Sequence, residues 1–266
     1  VFIMTIGTIE EFANYLQGRG LSPHTIKAFT FDVGQWLKSG LSPSDWFTQL
    51  KSQGLTNKTI ARKRTSLASY AKWAGLLLDL PPIKSEKRLP NALTEAEAKA
   101  LIHEAGRTSS PERDSLIVNI LLRTGIRESD LLSLTAGDIV EDKGLTILTI
   151  RQSKGAKDRQ IPIVDRQLQK QLKTYTKRML PSDRLFSMSD RNLRKIISNL
   201  GNKAGITRVN VHPHLLRHTS ATLYLRKGAN LETIRRILGH ESLATPQIYL
   251  QLTTEDIARD LSGANF

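Results

Sequence analysis

The chain of 266 residues contains no cysteine, which excludes disulfides, thiolate metal sites and a cysteine nucleophile. No apolar run approaches the ~20 residues that a membrane-spanning helix needs. The opening residues VFIMT lack the charged segment and long apolar stretch of a signal peptide. These absences lead to the expectation of a cytoplasmic protein without membrane association, with Met4 as the natural start and Val1–Ile3 an extension ahead of it. No G-x-x-x-x-G-K-[ST] loop is present, so no nucleotide site is expected, and no internal repeat or low-complexity segment occurs. Acidic residues are in short supply: 25 Asp and Glu face 39 Lys and Arg, giving a net charge of +14 and a pI near 10.1. Such a balance points to a polyanionic partner, nucleic acid first. A basic membrane-surface binder would need an amphipathic helix with exposed aromatic anchors, and none is evident.

An apolar content of 39% suffices for real cores in two ordinary domains. The first reads as four short helices. Thr8 and Glu11 form a capping-box pattern before Ile9, Phe12, Ala13 and Leu16. Ser22-Pro23 opens a second helix to about Lys38 and Ser42 a third to about Gln53. The fourth, from about Asn57 to Trp73, carries Lys58, Arg62, Lys63, Arg64 and Lys72 without an acidic residue, opposite a stripe of Ile60, Leu67, Tyr70, Ala71 and Ala74. A charged helix face is often only solvated, but here the missing Glu favours phosphate contact, so Lys58, Arg62, Lys63 and Arg64 are expected to touch DNA.

Pro81-Pro82 and the charged stretch to Pro90 read as a linker. The expected organisation is a DNA-gripping helical domain over 1–84, a linker over 85–91 and a second domain over 92–266, a two-domain clamp. Residues 1–84 hold 10 basic and 5 acidic side chains, leaving 29 and 20 beyond, so both parts are positive. The second domain opens with a capping box at Thr94 and Glu97, then a helix capped by Ser110-Pro111 whose core SLIVNILLRTG is apolar on most faces. Arg127 follows directly, held at the end of a buried helix; pairing with Glu128 or Asp130 is its ordinary reading. The pattern then turns to period two, and LTILTI (145–150) and RQIPI (159–163) predict a β-hairpin whose tip carries Lys154 and Lys157. The fold class is therefore mainly α with a small hairpin or sheet. Two further helices lead to HPHLLRHTSATLYLRKG. There Pro213 suits a first helical turn and places His214, Arg217 and His218 at i, i+3 and i+4. Three nearby histidines could hold a metal. No carboxylate joins them at ligand spacing, however, and Arg217 is a poor neighbour for a cation. His240 then projects past Gly239, and Tyr249 follows between aliphatics.

Taken together, TGIRESDLLSL, the hairpin Lys154, HPHLLRH, LGH and Tyr249 resemble the motifs of the tyrosine recombinases, the phage-integrase family, and most closely those of Xer type. The resemblance covers nearly the whole chain. It implies Arg127, Lys154, His214, Arg217, His240 and Tyr249 as the catalytic set, with Tyr249 the nucleophile that forms a 3′-phosphotyrosyl bond to double-stranded DNA. It implies no metal and no other cofactor, a homotetramer on DNA, and a C-terminal helix exchanged with a neighbour. Pro246 departs from the family, which often has Thr there, and leads to the expectation that Tyr249 lies out of attack position without DNA. The chemistry agrees with the residue types. A phenol of pKa ~10 needs a base such as His214. Charge on the non-bridging oxygens suits forked guanidiniums and a donor from His240. The leaving 5′-alkoxide needs an acid such as Lys154. The alternatives are a type IB topoisomerase, a non-catalytic DNA-binding protein and a metal-dependent nuclease.

Overall fold

A computed structural model describes residues 7–83, 92–142, 144–151 and 158–239. The chain divides into two compact units, residues 1–88 and 89–266. The first consists of helices α1 (Ile9–Gly18), α2 (Pro23–Ser39), α3 (Pro43–Ser52) and α4 (Asn57–Ala74). Each starts on a Ser or Thr whose hydroxyl accepts a backbone N–H, and α1 has the full capping box between Thr8 and Glu11. Their apolar faces meet in a core of Phe12, Leu16, Trp36, Leu67 and Tyr70, in which the Phe12 ring meets Tyr70 edge-on at 5.3 Å.

The same bundle corrects the reading of α4. Asp32 of α2 is fully buried and binds both forks of Arg62, the Lys63 Nζ at 2.9 Å and the Ser66 hydroxyl at 2.9 Å. Lys63 lies inside, 4% exposed, and also donates to Gln35 at 2.6 Å. Arg64 donates to the carbonyls of Leu80 and Pro81, while Lys58 is exposed. Consecutive residues on a helix point about 100° apart, so the run Arg62-Lys63-Arg64 cannot share one face. The compensating carboxylate comes from another helix, where inspection of α4 alone could not find it.

The second unit is built around α6 (Pro111–Thr124), with Leu116, Ile117, Val118, Ile120 and Leu121 all buried. Against it pack α5 (Glu95–Ala105), α8 (Arg166–Thr176) and α10 (Pro213–Arg226). As expected, α5 has a capping box from Thr94 and Glu97. At α6, by contrast, Pro111 sits in the first turn but Ser110 makes no capping bond. The short α7 (Glu128–Ser133) and a 3₁₀ turn (Ala136–Asp138) lead into a three-stranded antiparallel sheet: β1 (Ile139–Asp142), β2 (Leu145–Ile150) and β3 (Arg159–Ile163), in that order. The sequence reading found two of the three strands. It passed over β1 because IVED is one mostly exposed edge strand of four residues with little alternation to see. Helices α9 (Asp190–Lys203) and α11 (Leu231–Leu238) complete the described part. Among the described residues no helix is long and apolar enough to cross a membrane.

Candidate active site

Three helix ends and one strand start meet in the second unit. Helix α6 ends at Gly125, whose φ of +61° is the left-handed conformation that glycine tolerates. A side chain here would also come within 2.6 Å of Leu238, so the ends of α6 and α11 approach only because position 125 is bare. Arg127 caps the start of α7, Arg217 lies on α10, and α11 ends at Gly239 with φ +66°.

Arg217 is 4% exposed. Its Nη1 donates to Gly125 O at 2.6 Å and its Nη2 to Leu238 O at 2.7 Å. Arg127 Nη2 donates to Gly239 O at 3.0 Å. A third guanidinium, Arg159 of β3, donates from Nε to Ile237 O at 3.1 Å and from Nη2 to Asp130 at 2.6 Å. Three successive carbonyls at the carboxyl end of α11 thus each receive one arginine, at the pole where the helix dipole favours cations. The Asp130 carboxylate also accepts the Arg127 backbone N–H at 3.1 Å. Burial, and then the neighbouring Arg127 and Arg159, bring the Arg217 guanidinium down to about 10, with Asp130 opposing. The three guanidiniums therefore concentrate positive potential around the dehydrated Arg217, and charge in such a setting acts on an anionic oxygen more strongly than it does in water.

His214 stands exposed one turn before Arg217, with His218 half-buried beside it and their rings edge-on at 4.6 Å. His212 begins the helix: its Nδ1 accepts the Leu215 N–H at 3.1 Å. Glu128, one suggested partner of Arg127, instead binds Arg194 at 2.9 Å. Among the described residues no three His, Asp or Glu side chains gather as a metal ion would require. Lys154, Lys157, His240 and Tyr249, with Pro246, the C-terminal helix and nearly all of the linker, lie outside the described residues. The structure thus brings Arg127 and Arg217 together, places His214 one turn from Arg217, bears out Asp130 as a partner of Arg127 through its backbone N–H, and adds Arg159, which sequence reasoning missed. The signal for Arg159 was present. In the strand RQIPI it falls on the face of the buried Ile161 and Ile163, and a charge in register with two core residues marks an inward cation.

The His212 cap requires an unprotonated Nδ1. Burial lowers the pKa of this ring from 6.5, and Arg194 acts in the same direction against Glu128. A depressed folded-state value means that the unfolded chain binds the extra proton more readily. The stabilisation is therefore complete above pH ~6.5 and is lost as pH falls through the lower folded value. A cap of this kind contributes about 1 kcal/mol. Urea unfolding followed by circular dichroism at pH 7.5 and pH 5 should show that loss in the native chain and a smaller one in His212→Asn, which caps without titrating there. Equal losses in the two proteins would refute it.

Residues 91–256 match the phage integrase family. The chain belongs to the phage integrase family. The tyrosine recombinase XerA of Pyrococcus furiosus is 35% identical over 97% of this chain and 93% of its own. A crystal structure of XerA recombinase is similar at 31% identity and a TM-score of 0.56, covering 97% of this chain and 98% of that one. XerH site-specific recombinase, solved bound to a palindromic difH substrate as a post-cleavage complex, shares the fold at 20% identity and a TM-score of 0.72, over 96% and 83% of the two chains. As a member of this family the chain is a DNA-cleaving and strand-transferring enzyme of the tyrosine recombinase kind, and the topoisomerase and non-catalytic readings are set aside.

Proposed function

We propose that this site-specific recombinase breaks one DNA strand through Tyr249 and rejoins it to another, with Arg127 and Arg217 holding the scissile phosphate. The observation that carries the reading is the convergence of those two guanidiniums on adjacent carbonyls, Leu238 O and Gly239 O. Forked donors from separate elements aimed at neighbouring oxygens are what a phosphate with two charged oxygens requires. In the proposed reaction the Tyr249 oxygen attacks phosphorus in line while His214 takes the phenolic proton. The bond to the 5′-oxygen breaks, and Lys154 supplies a proton to that leaving oxygen. His240 adds a donor to a non-bridging oxygen. The 3′-phosphotyrosyl bond keeps the energy of the phosphodiester. A second strand's 5′-hydroxyl can therefore displace Tyr249, returning its own proton to Lys154 while Tyr249 recovers one from His214. No ATP or metal enters this scheme.

The proposed setting is cytoplasmic, with two duplexes joined in a homotetramer whose C-terminal helices are exchanged, and with chromosome-dimer resolution or a related integration as the outcome. Lys58 and the half-exposed Arg62 of the first unit, with Lys157, are the proposed contacts to DNA. Trapping tests the reading. The protein is mixed with fragmented chromosomal DNA, denatured and digested, and the modified peptide and the DNA ends are sequenced. The expected result is DNA linked by a 3′-phosphate to Tyr249 at one recurring sequence. Linkage at another residue, or no adduct that survives denaturation, would overturn it.

A further inference from the structure

We propose that Arg159 is a positioning residue for this reaction: from the first position of β3 it ties Asp130 of α7 to the end of α11, and so sets the carbonyls on which Arg127 and Arg217 rest. The inference builds on the reading above. Arg159 is poorly explained as a contribution to stability. Its side chain is 10% exposed and that of Asp130 15%, and buried ion pairs are often no more stabilising than apolar residues of the same size. The β3 face it occupies is otherwise apolar, through Ile161 and Ile163. It also adds a third cation beside Arg127 and Arg217, whose charges already push against one another. Its remaining nitrogen, Nη1, is buried with no hydrogen-bond partner among the described residues, a further cost of folding.

What the arrangement does provide is leverage. Arg159 Nε holds Ile237 O, the first of the three successive carbonyls whose other members receive Arg217 and Arg127. The flat side of the guanidinium packs on the bare α-carbon of Gly239: a methyl group there would stand 2.9 Å from Nη1 and 3.1 Å from Cζ. Moving Arg159 therefore moves the chain end whose next two carbonyls, Leu238 O and Gly239 O, receive Arg217 and Arg127. Through Asp130, which accepts from Arg159 Nη2 and from the Arg127 backbone, the same residue reaches the start of α7. A displacement of about 1 Å at such a site lowers a rate about 100-fold.

The test uses the full chain and a duplex carrying the site recovered by trapping, with either an ordinary scissile phosphodiester or a methylphosphonate, in which one charged oxygen is replaced by methyl. Arginines that neutralise that oxygen matter less when its charge is gone. If Arg159 acts by placing them, Arg159→Met should lower phosphodiester cleavage about 100-fold but methylphosphonate cleavage by about 10-fold or less, each relative to the native chain on the same substrate. Arg159→Lys, which keeps the charge but not the fork, should fall between. Gly239→Ala, which keeps the Arg159 side chain but pushes its guanidinium aside, should reproduce the pattern of Arg159→Met, and it carries the test alone if circular dichroism shows Arg159→Met to be unfolded. Equal losses on the two substrates, or no loss on either, would overturn the proposal. An absence of adduct with the native chain would count instead against the reading of Tyr249 and its arginines.

Discussion

Replacing Arg217 by alanine is expected to lower the single-turnover rate of covalent adduct formation by about 1000-fold, the upper part of the range for removing one preorganised donor to a transition-state oxyanion. The expectation rests on geometry more than on charge alone. Arg217 is held from both sides, by Gly125 O at the end of α6 and Leu238 O at the end of α11, so its fork is fixed before any substrate arrives. Arg217→Lys keeps a cation but offers one compact ammonium where two carbonyls are spanned, and should recover only about tenfold of the loss. Truncation to alanine also leaves two carbonyls unmet, at about 1–3 kcal/mol each when buried. Thermal unfolding must therefore be measured beside the rate. A rate in Arg217→Ala within about tenfold of native, in a protein still folded, would remove Arg217 from the proposed site.

The second large effect concerns stability. Asp32→Ala should destabilise the first unit by about 3–5 kcal/mol, because it leaves the interior Lys63, 5% exposed at its side chain, without its counter-charge. The chain offers its own probe. Its three tryptophans are Trp36, Trp46 and Trp73, all in the first unit, so fluorescence during denaturant unfolding of the full chain reports this unit and not the other. Lys63 also lies 5.4 Å from the Trp46 ring centre, which adds a local signal. The doubly altered Asp32→Leu with Lys63→Met, which removes both charges at once, should recover most of the loss. A single Asp32→Ala change of under about 1 kcal/mol would show that the cluster is far more hydrated than its burial indicates.

These two residues show what could and could not be read from the chain. Helices announced themselves through caps and period: Thr8 with Glu11, Ser22 before Pro23, Thr94 with Glu97, and Pro213 in the first turn of α10 all stand where the local pattern put them. Arg127, His214 and Arg217 stood out because their residue types recur in a known family, and the structure sets the two arginines on adjacent carbonyls. Asp32 was not legible as the partner of Arg62 and Lys63, since a salt bridge across 30 residues leaves no local trace. Arg159 is hidden within a convincing strand, and only its register with the buried Ile161 and Ile163 marks its charge as inward. The short edge strand β1 lacked the alternation by which strands are recognised. Local order is written in local sequence. The pairing of charges between elements belongs to the fold.

The carbonyls at the end of α11 have a further meaning for the arginines that hold them. A guanidinium in water is surrounded by loosely held solvent that must be stripped and reoriented before it can grip an anion. At 4% exposure Arg217 has already lost that solvent during folding, and peptide oxygens stand in its place. The reorganisation that a flexible surface arginine would undergo at each encounter has been moved to the moment the chain folds. What a phosphate would meet in the proposed site is, in Arg217, a donor already dry, already fixed in direction, and resting on acceptors much weaker than itself.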